Sequence, residues 1–210
     1  MYFEKNNKNI LKIYNRDIQM FDTLCKTGVM LKEHFEEFNI TERRIKNYIR
    51  DGYINELQLH NKIKFYVLSP RGKDLCLEYV DVKQPLVRPY SYIGLTDYYM
   101  KLEQSEKDSW ICDRDKISAL IEVKFKGFDV SDKIKNEIFK DKKDQEEISN
   151  LVKSCMEQNQ FPYPDAIYYS KNGTLKAVCV YGLNYFDCLM KITCLSIGAE
   201  LDIIEPKKGY

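Results

Sequence analysis

No run of apolar residues in this 210-residue chain approaches the roughly 20 needed to cross a bilayer. The opening MYFEKNNKN is polar and lysine-rich where a secretory leader requires an apolar core. A soluble, cytoplasmic protein without a membrane partner is therefore expected. Histidine is scarce, with 2 residues, and none of the 7 cysteines stands in a CxxC, so the ligand spacing of a zinc site is missing. An odd cysteine count also speaks against a secreted disulfide framework. Most of these thiols sit among apolar residues, where a free cysteine behaves as a small hydrophobe. Excess charge is lacking too. The formal net charge is +1, and a cut after Gln84 leaves 15 Lys+Arg against 12 Asp+Glu (+3) before it and 18 against 20 (−2) after it. Affinity for phosphate would have to come from a concentrated patch or from a second copy of the chain, not from bulk charge.

What is present is a chain 44% hydrophobic and 31% charged, enough for one large core or two small ones. Ile18, Phe21, Leu24 and Cys25 predict a helix over 16–27, stopped by Gly28. Met30, Leu31, Phe35 and Phe38 then recur at helical spacing, and Asn39-Ile40-Thr41 supplies a turn and an N-cap hydroxyl. A further helix should start after Thr41. In it Ile45, Tyr48 and Ile49 fall at i, i+3 and i+4, leaving Glu42, Arg43, Arg44, Lys46, Asn47 and Arg50 outside. Asp51-Gly52 ends that helix, because glycine takes the left-handed geometry of a helix stop without steric cost. Tyr53, Ile54, Leu57 and Leu59, then Ile63, Phe65, Tyr66 and Val67, read as two strands with His60-Asn61 at the hairpin tip. Pro70 suits the first turn of another helix, from which Leu75, Leu77 and Val80 return to the core.

This order of elements, closed by LSPRGKDL, resembles the winged helix-turn-helix DNA-binding superfamily over residues 1–80. The resemblance implies that the helix from Glu42 enters the major groove while the hairpin touches the adjacent backbone. Arg43, Arg44, Asn47 and Arg50 are then candidates for base edges, since arginine pairs bidentately with guanine and asparagine with adenine. Lys46, Lys62, Lys64, Arg71 and Lys73 suit phosphates, where a point charge suffices. Thr41, His60 and Asn61 complete the candidate DNA-binding set.

A linker over 81–92, around Pro85 and Pro89, separates this domain from a second over 93–210. There Gly94-Leu95-Thr96 looks like a helix start, Trp110-Ile111-Cys112 a short strand, and Asp113-Arg114-Asp115 a turn. Partial alternation over 118–130, with Ile121, Val123 and Phe125 against Glu122, Lys124 and Lys126, predicts a strand. The charged run 131–158 predicts one or two surface helices. Ala166–Tyr169 and Leu175–Tyr181 are β-rich and joined through Asn172-Gly173, a strong hairpin signal. Asn184–Ser196 reads as a helix and Ala199–Ile204 as a closing strand. The fold class is α+β, with a mixed α/β second half.

Pro164-Asp165 ahead of a hairpin and a helix resembles the PD-(D/E)xK nuclease core. That resemblance implies Mg²⁺ held by clustered carboxylates, which clamp a phosphodiester. Here the second strand offers Val178, Cys179, Val180 and Tyr181, with no acid and lysine on either face. The one E-x-K is Glu122-Val123-Lys124, ahead of the PD, so a nuclease would need a rearranged site of Asp165, Glu122 and Lys124. A non-catalytic core with no cofactor is the expectation. The whole pattern, with YIGLTDYYMKL and PDAIYYSKNGTLKAVCV, resembles the plasmid replication-relaxation family, which implies a DNA-bound accessory or regulator of plasmid or mobile-element relaxation, replication or transcription. A homodimer and a relaxase or replication protein are the candidate protein partners, with the tyrosine-rich second domain as their surface. The competing readings are a metal-dependent endonuclease steered by its winged domain, and a protein-binding adaptor or inhibitor on a winged-helix scaffold.

Overall fold

The computed structural model describes residues 12–58, 62–79, 89–125, 162–180 and 184–205, with 150, 154, 157 and 158. The charged run 131–158 and the hairpin tip His60-Asn61 lie almost wholly outside these residues. The chain divides into two units between Thr96 and Asp97.

The first unit opens with α1 (Asn15–Thr27), α2 (Lys32–Glu37) and α3 (Glu42–Arg50). Gly28 stops α1 with φ 87°, as its position in the sequence requires. Leu31 precedes α2, whose third residue, His34, accepts the Leu31 N–H at Nδ1 over 3.0 Å. The turn into α3 is made by Asn39, with φ 55°, a conformation asparagine tolerates better than most residues. An antiparallel hairpin follows, β1 (Ile54–Gln58) with β2 (Lys64–Leu68), in register Ile54 to Leu68. Met30 adds a single antiparallel bridge to Tyr66, tying the α1–α2 connection to the hairpin. The core beneath is built from Met20, Phe21, Leu24, Phe35, Ile45, Tyr48, Ile54 and Leu68. Cys25 and Cys76 lie within it with no disulfide between them, as expected of buried cysteines in an apolar setting.

The LSPRG segment closes the unit through the backbone. Pro70 begins α4 (Pro70–Tyr79), and the Ser69 hydroxyl ahead of it accepts the Gly72 N–H at 3.0 Å while donating to the Gly52 carbonyl. Gly72 is the position at which a side chain cannot fit: a Cβ there would stand 2.0 Å from the Tyr53 carbonyl oxygen and 3.0 Å from Leu68 Cδ2. In an unconstrained helix alanine stabilises relative to glycine. Here Gly72→Ala is expected to reverse that sign, lowering stability by about 1–3 kcal/mol as an overpacked site does. A fall in the thermal unfolding midpoint is the readout, and a rise would show that the start of β1 yields freely.

Helix α5 (Pro89–Lys101) starts inside the expected 81–92 linker. Ile93 is fully buried with Val29, Leu31 and Phe65, and the Thr96 hydroxyl donates to the Val29 carbonyl at 2.6 Å. These residues therefore belong to the first unit, and the division falls later than the prolines suggested. Residues 81–88 lie outside the described part.

The second unit carries α6 (Gln104–Asp108), α7 (Arg114–Phe125), β3 (Ala166–Tyr169), β4 (Leu175–Val180), α8 (Asn184–Ser196) and β5 (Glu200–Ile204). The sheet order is β3-β4-β5, with an antiparallel hairpin at Asn172-Gly173 and β5 parallel to β4 after the α8 crossover. Gly173 has φ 78°, the geometry the tight turn needs. The described elements thus make an α+β protein. One sheet face places Ile167, Ala177 and Leu201 against Ile117 and Ile121 of α7 and Ile192 of α8.

Residues 118–125 are helical, which corrects the expected strand over 118–130. Ile117 and Ile121, one turn apart, are the buried pair, and Val123, which alternation placed with Ile121, is 73% exposed. Asp113, expected in a turn, accepts the Asp115 N–H at 2.9 Å just ahead of α7. Of Trp110-Ile111-Cys112 only Ile111 pairs, in an antiparallel bridge to Ile167.

Candidate nucleic-acid interface

Helix α3 is amphipathic as its sequence dictates, with Ile45 and Tyr48 buried and Ile49 packed against the same core. Thr41 precedes it in an extended conformation, and its carbonyl receives the N–H groups of Arg44 and Ile45 at 2.8 and 3.0 Å. Its side chain makes no capping hydrogen bond, which corrects the N-cap expected there. The hydroxyl is left on an exposed residue at the start of the helix.

Arg44 is the main correction to the predicted interface. Its Nε donates to Asp17 Oδ1 at 2.8 Å and its Nη2 to Asp17 Oδ2 and to the Lys12 carbonyl, leaving the side chain 16% exposed. Tyr48 donates its hydroxyl to Asp17 Oδ1 at 2.6 Å, and the Tyr14 N–H adds a further bond of 2.7 Å to Oδ2. Asp17 itself is wholly buried. A buried carboxylate must be paired and hydrogen-bonded, and Arg44 is the cation that hydrogen-bonds it, so it turns back across the fold instead of outward to a base. Burial alone would lower the Arg44 pKa, but the Asp17 and Tyr48 hydrogen bonds outweigh it and raise it.

The same network pushes the Tyr48 phenol up, through burial first and then the hydrogen bond and charge of Asp17. A raised folded pKa means that the unfolded chain releases this proton first. The stabilisation is complete below the ordinary phenol value of about 10 and is lost as pH climbs above it. Urea midpoints are expected to fall in alkali more steeply for the native chain than for Tyr48→Phe; equal slopes would show that the phenol does not govern the loss.

The remaining predicted residues divide by their partners. Lys46 pairs with Glu42 at 3.2 Å, and Lys32 reaches the same carboxylate at 3.3 Å. These hydrogen bonds, Lys46 first, lower the Glu42 pKa. Arg50 pairs with Asp51 at 2.7 Å, and Lys64 on β2 with Glu56 on β1 at 2.6 Å. Arg71 donates to the Asp51 carbonyl at 2.8 Å and lies 4.7 Å from the Tyr53 ring centre, bracing the end of α3. Lys62 is exposed beside the hairpin tip with φ 67°, and Lys73 is half-buried on α4. Arg43 and Asn47 are different. They stand one turn apart on the outer side of α3, Arg43 exposed and Asn47 half-buried, and neither side chain has an ion-pair or hydrogen-bond partner among the described residues.

The rearranged nuclease site does not assemble as predicted. Glu122 and Lys124 sit on helix α7, where two residues turn through about 200°, so they no longer share a face. Glu122 accepts the Ser118 hydroxyl at 3.1 Å. Asp165 accepts the Val180 N–H at 2.8 Å and so closes the end of β4. Among the described residues no group of three or more His, Cys, Asp or Glu is placed to hold a metal ion. On the sheet face away from the core, the Tyr98 hydroxyl donates to Asp202 at 2.5 Å and lies 2.8 Å from that of Tyr168. Tyr99 and Tyr168 are buried around Trp110 with Tyr98 half-buried beside them, and among the described tyrosines of the second unit Tyr169 is the exposed one, at 55%.

Sequence reasoning missed Asp17, Lys12, Tyr14 and Arg16. The signal available was weak: an acid one residue inside a predicted helix and a basic lead before it. No described helix is long and apolar enough to cross a membrane. In comparisons with known proteins the chain matches no protein family, no curated protein and no solved structure.

Proposed function

We propose that the first unit is a winged helix-turn-helix that binds double-stranded DNA sequence-specifically, with α3 in the major groove and the β1–β2 hairpin against the neighbouring backbone. The observation that carries this reading is the outward pair Arg43 and Asn47 on an amphipathic helix whose other face is locked into a core. Their guanidinium and carboxamide are the groups that read guanine and adenine edges. Lys62, Lys73 and the exposed cations of α3 supply phosphate contacts. The second unit, non-catalytic in this reading, serves dimerisation or partner binding. The resemblance noted in the sequence supports a role as accessory or regulator at a plasmid or other mobile element.

An adaptor that binds protein is favoured by one observation: Lys46, Lys32, Arg50 and Lys64 are each paired with a carboxylate, which thins the field a duplex would meet. Fluorescence anisotropy with duplex fragments over a salt series separates the two. DNA binding gives affinity that falls log-linearly with salt through counterion release. Absence of any such slope defeats the DNA reading and leaves the adaptor.

A further inference from the structure

The tyrosine ahead of α1 gathers cations that the α3 interface does not use. Lys12 Nζ and Arg16 Cζ each lie 5.6 Å from the Tyr14 ring centre, and Arg44 Cζ lies 5.0 Å from it. Tyr14 is 46% exposed and the Arg16 side chain 47%, so the cluster faces solvent. Three cations here face one described carboxylate, Asp17, which Arg44, Tyr48 and the Tyr14 N–H already saturate. Arg16 reaches it only at 3.9 Å. Lys12 has no acidic partner among the described residues, and its carbonyl is held by the Arg44 guanidinium from α3. The cluster is therefore fastened to α3 by the residue next to Arg43.

We propose that Lys12 and Arg16, set around Tyr14, form a phosphodiester clamp that extends the duplex footprint from α3 onto the lead and first turn of α1. This rests on the DNA-binding reading above. An ammonium with no described acidic partner and a guanidinium 3.9 Å from an already saturated carboxylate are held close together beside an aromatic ring at a site that an anion can enter, and the nearest repeating anion to a groove-bound α3 is the sugar-phosphate backbone. Phosphate contacts carry no sequence information, so this clamp adds affinity without adding discrimination.

The test is an anisotropy salt series on the full chain and on Lys12→Ala/Arg16→Ala, against a duplex selected for tight binding and an unrelated duplex. The variant is expected to lose affinity by the same factor on both, with the log–log salt slope shallower by about 1.8, or 0.9 per lost contact. An unchanged thermal midpoint confirms that the fold is intact, and Lys12→Gln/Arg16→Gln provides the same comparison should the alanine pair lower it. If the native chain binds with a salt slope and both variants keep it, the clamp is overturned while the groove assignment stands. If the native chain shows no salt-dependent duplex binding, both fail together.

Discussion

Replacing Asp17 with alanine is expected to destabilise the first unit by about 3–5 kcal/mol, the usual cost of removing one partner from a buried ion pair. The carboxylate is fully buried and receives Arg44, Tyr48 and the Tyr14 N–H. Alanine would leave the 16% exposed guanidinium of Arg44 without a counter-charge, with the Lys12 carbonyl and the Tyr48 hydroxyl as its remaining acceptors, and the buried Tyr48 hydroxyl without its acceptor. Domains are stable by only about 5–15 kcal/mol, so this single change removes a large share of the total. Asp17→Asn keeps an acceptor oxygen and should cost less. Urea denaturation of the three proteins gives the order native, Asn, Ala. A loss below about 1 kcal/mol for the alanine variant, the range of an exposed pair, would mean that water replaces the carboxylate and that the network does not hold α1 to α3.

The second large effect concerns recognition. Arg43→Ala with Asn47→Ala is expected to erase most discrimination between a selected site and a scrambled duplex, at about 1–3 kcal/mol for each lost bidentate contact. Binding to scrambled DNA should weaken only slightly, since a single charge is removed. Competition titrations against both duplexes measure this ratio directly, and a ratio equal to the native one would refute the placement of α3 in the groove. Arg44 is a poor probe for the same purpose. Its alanine variant would report the loss of the Asp17 network, and a binding defect there would follow from a displaced α3 rather than a missing base contact.

Much of the first unit was legible because its information is local. The α1 stop at Gly28, the start of α3 after Thr41 and the Pro70 opening of α4 each follow from one or two residues whose backbone preferences decide the outcome. The hairpin at Asn172-Gly173 was readable for the same reason. Residues 118–125 misled because Ile117, Ile121 and Val123 satisfy part of both periods, and the choice between them was made by α8, whose Ile192 lies across the same core. The linker misled because prolines mark a break in local structure but cannot report that Ile93 will find Val29 and Phe65.

The candidate site divides along the same line. Which α3 residues leave the core is set by a spacing of i, i+3 and i+4 and needs no partner, so the sequence determined that Arg43 and Asn47 point outward. What each outward-leaning cation then does depends on the carboxylate it meets, near in sequence for Lys46 and Arg50 and distant for Arg44. Asp17, 27 residues before Arg44, took that arginine out of the interface. Glu42, Asp51 and Glu56 paired Lys46, Arg50 and Lys64. Side-chain direction and the pairings within one helical turn are local properties, whereas the loss of Arg44 to Asp17 is decided only when the folded backbone brings distant groups within a few ångströms.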